Sequence, residues 1–250
     1  MKARLPSLFS FKSAKDLVRI GRDNDGGYLI SQSDMDKTDF LVGLGIHDDW
    51  SFESDFVHHN NVPVSAYDAS VNVKFFLKRI FISTIKNPFN FLYALKKLIS
   101  YKFFFRENRK HIQKFVGLNC VDSIHCSLES IFNEIQGKNI FFKIDIEGSE
   151  YRFLDTLISN QNRISGLVME LHDCDLHLDA IKNFINGLDL KLVHIHANNH
   201  APIRLDDGLP LVLELTFSRY CEIENEVWMP HKLDMPNNKN KSEIKLIIES

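Results

Sequence analysis

Asn139-Ile-Phe-Phe-Lys-Ile-Asp-Ile-Glu-Gly-Ser-Glu150 is the stretch on which the fold turns. From Ile140 to Ile146 it is apolar except at Lys143 and Asp145. Such a run suits a strand buried on both faces, as in a parallel sheet. Asp145 and Glu147 arrive where that strand ends, with Gly148 behind them. In an open α/β sheet the carboxyl ends of the strands open onto the ligand crevice. Glu147 and Glu150 also fit the acidic first turn of a following helix, where the helix dipole favours anions. Asp145 has no such ordinary role inside an apolar run, where a carboxylate needs a partner. It is the first candidate functional residue.

Upstream, Asp39-Phe-Leu-Val-Gly-Leu-Gly-Ile46 reads as a strand running into a glycine turn at Gly43 and Gly45. A helix is expected from His47–Glu53, with Asp49 or Ser51 as N-cap. Val62–Asp68 is a second strand that ends on an acid. Asp68 follows Gly45 by 23 residues, close to the interval of about 20 at which Rossmann-like sheets place a carboxylate on ribose hydroxyls. Nearer the start, Ser13–Ile20 reads as a short helix, and Arg19–Ile30 as a β-hairpin around Asp25-Gly26-Gly27.

Between Val71 and Lys114 eleven lysines and arginines stand against one acid, Glu107, and are interleaved with phenylalanines. Apolar residues recur there at helical spacing, and Asn87-Pro88 interrupts them, so two basic amphipathic helices inserted between strands are expected. They are either a cap with solvated lysines or a face for something anionic, such as a membrane surface or a lipid-linked or phosphorylated substrate. No nucleic-acid motif accompanies the charge, so nucleic acid is not expected as a partner.

Downstream, Phe115–Asn119 reads as a third strand with Asp122 close behind, and Ser127 opens a helix that ends near Gly137. A helix through Ile158 follows the opening stretch. Then come a strand at 166–173, an amphipathic helix at 178–188, and a strand at 190–196. Leu209–Ser218 is a late strand, expected as the antiparallel edge of a seven-stranded sheet. From about Pro236 the chain is polar, as in a mobile loop before a short terminal segment. The alternation implies a single α/β domain over residues 1–250, a Rossmann-like, doubly wound, mostly parallel sheet with a helical insertion at about 71–114.

Composition is that of an ordinary globular chain, 44% hydrophobic and 25% charged, with a net charge of -3 that supplies no general attraction to nucleic acid. Cys120, Cys126, Cys174 and Cys221 form no CxxC pair, which argues against a zinc knuckle or a disulfide framework and fits a reducing compartment. The start lacks the apolar core of a signal peptide, and no run reaches the roughly eighteen apolar residues a spanning helix needs. A cytoplasmic protein is expected, with contact at the inner face of the membrane through 71–114 as the variant of that reading.

Polar groups gather at three strand ends: Asp145 and Glu147; Glu170, His172 and Asp173; and His194, His196, Asn198, Asn199 and His200. If these ends share one crevice, a histidine there deprotonates a hydroxyl nucleophile. His172 is the first candidate base and His196 the second, with Glu147, Glu170, His194 and Asn198 as substrate-binding candidates. Carboxylate and imidazole together also suit a divalent metal, to which no residue is assigned from spacing alone.

Taken together, these residues resemble the FkbM-type family of S-adenosylmethionine-dependent methyltransferases. The resemblance rests on Lys143-Ile-Asp-Ile-Glu-Gly-Ser-Glu150. Arg22–Tyr28, Gly43-Leu-Gly-Ile-His-Asp-Asp-Trp-Ser-Phe-Glu53, Tyr67-Asp68 and Met169-Glu-Leu-His172 support it. It implies a class I methyltransferase sheet binding S-adenosyl-L-methionine, with Gly43 and Gly45 along the methionine side of the cofactor. It further places Asp68 on the ribose hydroxyls, Asp122 near the adenine, and Asp145 beside the methionine and the transferred methyl. The implied activity is O-methylation of a hydroxyl on a sugar or surface-glycan precursor, by in-line transfer in which orientation supplies much of the catalysis. Two other readings stand beside it. One is a nicotinamide-dependent oxidoreductase using Gly43, Gly45 and Asp68, and the other a non-enzymatic membrane-associated binding module built around 71–114.

Overall fold

A computed structural model of the chain describes residues 2–86, 88–117 and 122–249, with the backbone alone over 83–86 and 88–90. In chain order it forms β1 (Lys2–Leu5), β2 (Leu17–Ile20), β3 (Tyr28–Ser31), α1 (Gln32–Lys37), β4 (Phe40–Leu44), α2 (Ser51–His59) and β5 (Val64–Tyr67). Next come α3 (Val73–Lys86), α4 (Pro88–Phe104), β6 (Arg109–Ile112), β7 (Phe115–Val116), β8 (His125–Cys126), α5 (Leu128–Glu134) and β9 (Ile140–Ile144). The chain ends with α6 (Leu154–Ser159), β10 (Ile164–Leu171), α7 (Leu178–Gly187), β11 (Lys191–Ala197), β12 (Leu213–Ser218) and β13 (Lys245–Ile248).

Seven strands make one sheet in the order β11-β12-β10-β9-β4-β5-β6. The doubly wound α/β fold expected from the sequence is the fold observed. β12 alone runs antiparallel to its neighbours, β10 and β11. It is not the edge strand the sequence reading expects, because it lies between those two and leaves β11 and β6 at the edges. All six residues of β12 are buried. The apolar pattern shows that the strand is covered, but not which strands flank it.

Alternation along the central strands sorts the core into two layers. Leu41, Phe141 and Val168 pack against Met35, Phe52 and Phe56 of α1 and α2. Val42, Phe142, Leu167 and Met169 face Phe132, Leu157 and Phe184 of α5, α6 and α7. Successive strand side chains point to opposite faces, so an uninterrupted apolar run is what a sheet with helices on both sides requires. Each fully buried Phe among them contributes about 1.5–3 kcal/mol.

Three local expectations are corrected. Leu17–Ile20 is a strand rather than part of a helix, since its pairing with β3, Leu17 opposite Ser31 and Ile20 opposite Tyr28, outweighs a weak local helix preference. The loop 21–27 carrying Asp25-Gly26-Gly27 then closes the expected hairpin. The strand after the insertion starts at Arg109, inside the stretch assigned to the insertion, and pairs with β5. β7 covers only the start of the third strand expected at Phe115–Asn119, and it pairs with β8 outside the main sheet. Leu118, Asn119, Cys120 and the expected break at Asn87 lie outside the described residues.

The polar stretch from Pro236, expected as a mobile loop, is hydrogen-bonded to the body of the fold. Asn24 Nδ2 donates to Pro236 O at 2.8 Å, Asn237 Nδ2 to Glu214 Oε1 at 2.6 Å, and Asn238 N to Asn199 Oδ1 at 2.6 Å. The two inserted helices are present, as α3 and α4. They seat on Trp50 through Phe76, Leu98, Tyr101 and Phe104. Among the described residues no helix is long and apolar enough to cross a membrane.

Candidate active site

After β4 the chain builds outward through β5 and β6, then crosses back to add β9 and β10 on the other side. The direction of winding therefore reverses between β4 and β9, which is where doubly wound sheets open a ligand crevice. A cavity of about 910 Å³ lies there. Asp25, Asp48, Asp49, Glu53, Asp68, Asp145, Glu147 and Glu170 line it, against Arg22, Lys114, Lys143 and Arg152.

Gly45 brings the two strand ends together. Its φ is +78°, and a Cβ there would lie 1.7 Å from the carbonyl oxygen of Asp145. That close approach lets the buried Lys143 donate from Nζ to Gly45 O at 2.7 Å and to Asp145 Oδ2 at 3.3 Å. Gly43 does not line the cavity, contrary to the expectation. A Cβ on it would lie 2.4 Å from Glu53 Oε1, so its bare Cα makes room for that carboxylate to reach the cavity wall.

A buried charge cluster surrounds Lys143. Tyr28 donates to Asp145 Oδ2 at 3.1 Å and to Glu170 Oε2 at 3.3 Å, and Asn198 Nδ2 donates to Glu170 Oε1 at 2.8 Å. Burial opposes the charge on Lys143, but Asp145 and Glu53 outweigh it and hold the ammonium above its ordinary pKa. Burial pushes the Glu53 carboxyl up to about 7 against the pull of Lys143. Glu53 Oε1 has no hydrogen-bond partner among the described residues. Sequence reasoning assigned no role to Tyr28, Glu53 or Lys143. The signal for Lys143 was its charge inside the same apolar run that drew attention to Asp145.

His172 lies at the end of β10, 15% exposed at its side chain. Its Nδ1 meets Glu150 Oε1 at 3.0 Å, while Nε2 lies 3.5 Å from Glu147 Oε2 and 3.7 Å from Glu170 Oε1. Glu150 opens a single 3₁₀ turn, Glu150–Arg152, ahead of α6, and its carboxylate also serves the site. It is fully buried, and the same Oε1 accepts the N–H groups of Ile146 and Gly148 at 3.2 and 3.3 Å. The following α6 begins only at Leu154, while Glu147 occupies a left-handed turn with φ +53°. Burial works against the imidazolium, but the hydrogen bond and charge of Glu150, with Glu170 and Asp145, raise the pKa of His172 to about 9. At neutral pH the residue first chosen as base already holds its proton.

Asp68 carries the loop that follows Gly45. Its Oδ2 accepts from the N–H groups of Ile46 and His47 at 3.2 and 2.7 Å, and Oδ1 from Ser70 N and Oγ at 2.7 and 2.6 Å. A carboxylate has about four lone-pair sites, and here all are used within the chain. The expected place on ribose hydroxyls therefore meets an occupied carboxylate. Asp68→Ala is expected to unfold the protein more easily by about 2 kcal/mol or more, since it orphans buried backbone donors; a urea titration measures this. At the start of α2 the N-cap is Trp50 rather than the expected Asp49 or Ser51, and Asp49 Oδ1 accepts Ser51 N at 3.1 Å from the turn before it.

The strand ends do not all converge. Gly45, Asp68, Asp145, Glu147, Glu170, His172, Asn198 and His200 line the cavity. His194, His196 and Asp122 do not. His194 Nε2 pairs with Asp234 Oδ1 at 3.0 Å, and His196 bridges Glu214 at 3.1 Å and Glu243 at 3.2 Å. Residues two apart on a strand share a face, and the chain from 231 to 243 covers this one. His196 is thereby removed from contention as a base at this cavity. Asp122 caps its own turn, accepting Ile124 N at 2.9 Å beside His125 Nδ1 at 2.8 Å.

Asp145, Glu147 and His172 each offer a ligand atom, and these lie within 4.8 Å of one another. Oxygen and imidazole donors suit a divalent ion. Such an ion would need His172 to release its proton and would have to share Asp145 with Lys143.

No family model and no curated protein matches the chain. Among solved structures it is similar to an rRNA methylase from Streptococcus thermophilus, at 12% identity over 73% of this chain and 88% of that one, with a TM-score of 0.37. It is also similar to a precorrin-6y C5,15-methyltransferase from Geobacter metallireducens, at 13% identity over 84% and 95% of the two chains, TM-score 0.38. A third is the fibrillarin pre-rRNA processing protein of Methanococcus jannaschii, at 11% identity over 74% and 67%, TM-score 0.37. The observed strand order, rather than these distant likenesses, carries the fold.

Proposed function

We propose that the chain is an S-adenosylmethionine-dependent methyltransferase of the FkbM type, acting on a hydroxyl of a sugar or glycan precursor. The observation that carries the cofactor is the balance of charge at the crevice between β4 and β9. Carboxylates outnumber lysines and arginines along the cavity, and Glu53 Oε1, buried in its wall, has no partner among the described residues. A ligand bearing a sulfonium and an ammonium suits that wall. The pyrophosphate of a nicotinamide dinucleotide does not. Phosphates bind where a glycine turn leaves backbone N–H groups free, and here those of Ile46 and His47 serve Asp68. The geometry therefore disfavours the oxidoreductase reading. The sugar acceptor is supported by the resemblance of Lys143–Glu150 and its companion stretches.

When bound, the cofactor supplies an already activated methyl group, so the protein's work is placement and proton handling. Lys143 fixes the turn at Gly45 against Asp145, and Tyr28 and Asn198 hold Glu170. Glu150 holds the ring of His172 by Nδ1 and leaves Nε2 toward Glu147 and Glu170. That ring accepts a proton from a hydroxyl only after losing its own. With kcat/KM measured against pH, the rate should rise about tenfold per unit until it levels near 9, the value to which its acidic neighbours raise His172. His172→Gln should remove that limb; a profile unchanged by the substitution would take the base role away from His172.

The cofactor is tested by calorimetric titration with S-adenosylmethionine, S-adenosylhomocysteine and NAD, repeated on Asp145→Asn. Micromolar binding of the first two, weakened about tenfold by the substitution in protein that still melts cooperatively, is expected, corresponding to the loss of one favourable charge contact. Folded protein that binds NAD and neither methionine derivative would return the oxidoreductase to first place.

A further inference from the structure

Half of the large apolar side chains exposed in the described structure lie on α3 and α4. On α4, Leu92 is 54% exposed, Ile99 58% and Phe103 63%. With the exposed Lys96 they occupy positions i, i+4, i+7 and i+11, one stripe along a helix. The opposite stripe, Ala94, Leu98 and Tyr101, is buried, and Leu98 and Tyr101 pack into the cluster around Trp50. The helix has therefore satisfied one apolar face on the protein and carries a second that it has not. On α3, Leu77 is 51% exposed between the exposed Lys74 and Lys78.

We propose that this face docks on an anionic lipid bilayer, with α3 and α4 lying in the interface. The charge selects the partner, since residues 71–114 hold eleven lysines and arginines against one acid. Exposed Lys78, Lys96 and Lys102 alternate with the exposed apolar residues rather than forming a separate patch. Basic residues interleaved with Leu, Ile and Phe suit the boundary between headgroups and acyl chains. With 14 and 17 residues the two helices are too short to span a bilayer. The face is also tied to the cavity, because Arg79 pairs with Asp48 and Lys97 donates from Nζ to Asp48 O at 2.6 Å, and Asp48 lines the cavity. Docking there holds the cavity close to the headgroups. This deepens the proposed function by selecting an acceptor that is itself carried on a lipid.

The test is co-sedimentation of the full chain with vesicles of phosphatidylcholine alone and of phosphatidylcholine with phosphatidylglycerol. Binding to the mixed vesicles only, weakened by salt, is expected. Lys96→Glu with Lys102→Glu should lower the partition coefficient by at least about fivefold for each lysine lost. Ile99→Glu with Phe103→Glu should abolish binding. Both pairs are exposed and none of the four side chains lines the cavity, so binding of S-adenosylmethionine by the same variants should be unchanged. Loss of vesicle binding with cofactor binding intact separates docking from catalysis, and vesicle binding by a protein that ignores the cofactor keeps the docking while removing the enzyme. Wild-type protein that stays in the supernatant with anionic vesicles overturns the proposal. Pelleting without vesicles, or tight RNA binding indifferent to Ile99 and Phe103, also overturns it and gives the face to a second copy or to nucleic acid.

Discussion

Lys143→Met should destabilise the protein by about 3–5 kcal/mol, the usual cost of removing one partner from a buried ion cluster. The length of the side chain is nearly kept, so cavity formation contributes little and the effect is electrostatic. Lys143 is 7% exposed and touches Gly45 O and Asp145 Oδ2, with Glu53 and Glu170 close enough to support its charge. Without it, three buried or half-buried carboxylates and Tyr28 meet with His172 as their neighbouring cation. A fall in melting temperature of roughly 10 °C is the corresponding readout for a chain of this size. Adding Asp145→Asn to the variant should restore part of the loss, by at least about 1 kcal/mol of coupling. A single-variant loss under about 1 kcal/mol would mean that the acids around Lys143 are already neutral.

Gly45→Ala is expected to be as damaging for a steric reason. At φ +78° a non-glycine residue costs about 1–3 kcal/mol by itself. Its Cβ would also fall 1.7 Å from the carbonyl oxygen of Asp145, which is backbone and cannot swing aside. The ends of β4 and β9 must separate, breaking the bond from Lys143 to Gly45 O and reshaping the cavity between them. A total of about 3 kcal/mol or more is expected in denaturant unfolding, with loss of S-adenosylmethionine binding in whatever fraction folds. Gly148→Ala is the control. Gly148 has φ +91° but meets nothing nearer than Asp173 Oδ2 at 3.9 Å, so only the backbone cost of about 1–3 kcal/mol applies. Equal losses at the two positions would show that the contact with Asp145 does not hold the strand ends together.

The outline of the site was legible wherever chemistry clashed with its local pattern. Asp145 stood out as a charge in an apolar run and belongs to the cavity, while Lys143, the other charge in that run, was given no role although it lines the same cavity. Glu170, His172 and Asn198 were read from their places just inside or beyond strands, and they too reach it. Glu53 and Tyr28 escaped notice because an acid in an early helical turn and an aromatic in a hairpin are ordinary residues for those places. Only their packing, one over the bare Cα of Gly43 and the other against Asp145 and Glu170, makes them part of the site.

From the sequence alone came the doubly wound α/β sheet, the two inserted helices and the crevice acids, because periodicity and strand-end chemistry act over a few residues. Strand order was decided at longer range. β12 lies inside the sheet because its six residues are covered on every side by partners far away in the chain. The division of the histidines was decided there too. His172 points to the cavity, while His194 and His196 face a C-terminal stretch whose acids and asparagines bind them or their partners. Sequence distance says nothing about which segment will cover a face, and the coverage sets both the burial and the proton affinity of a histidine.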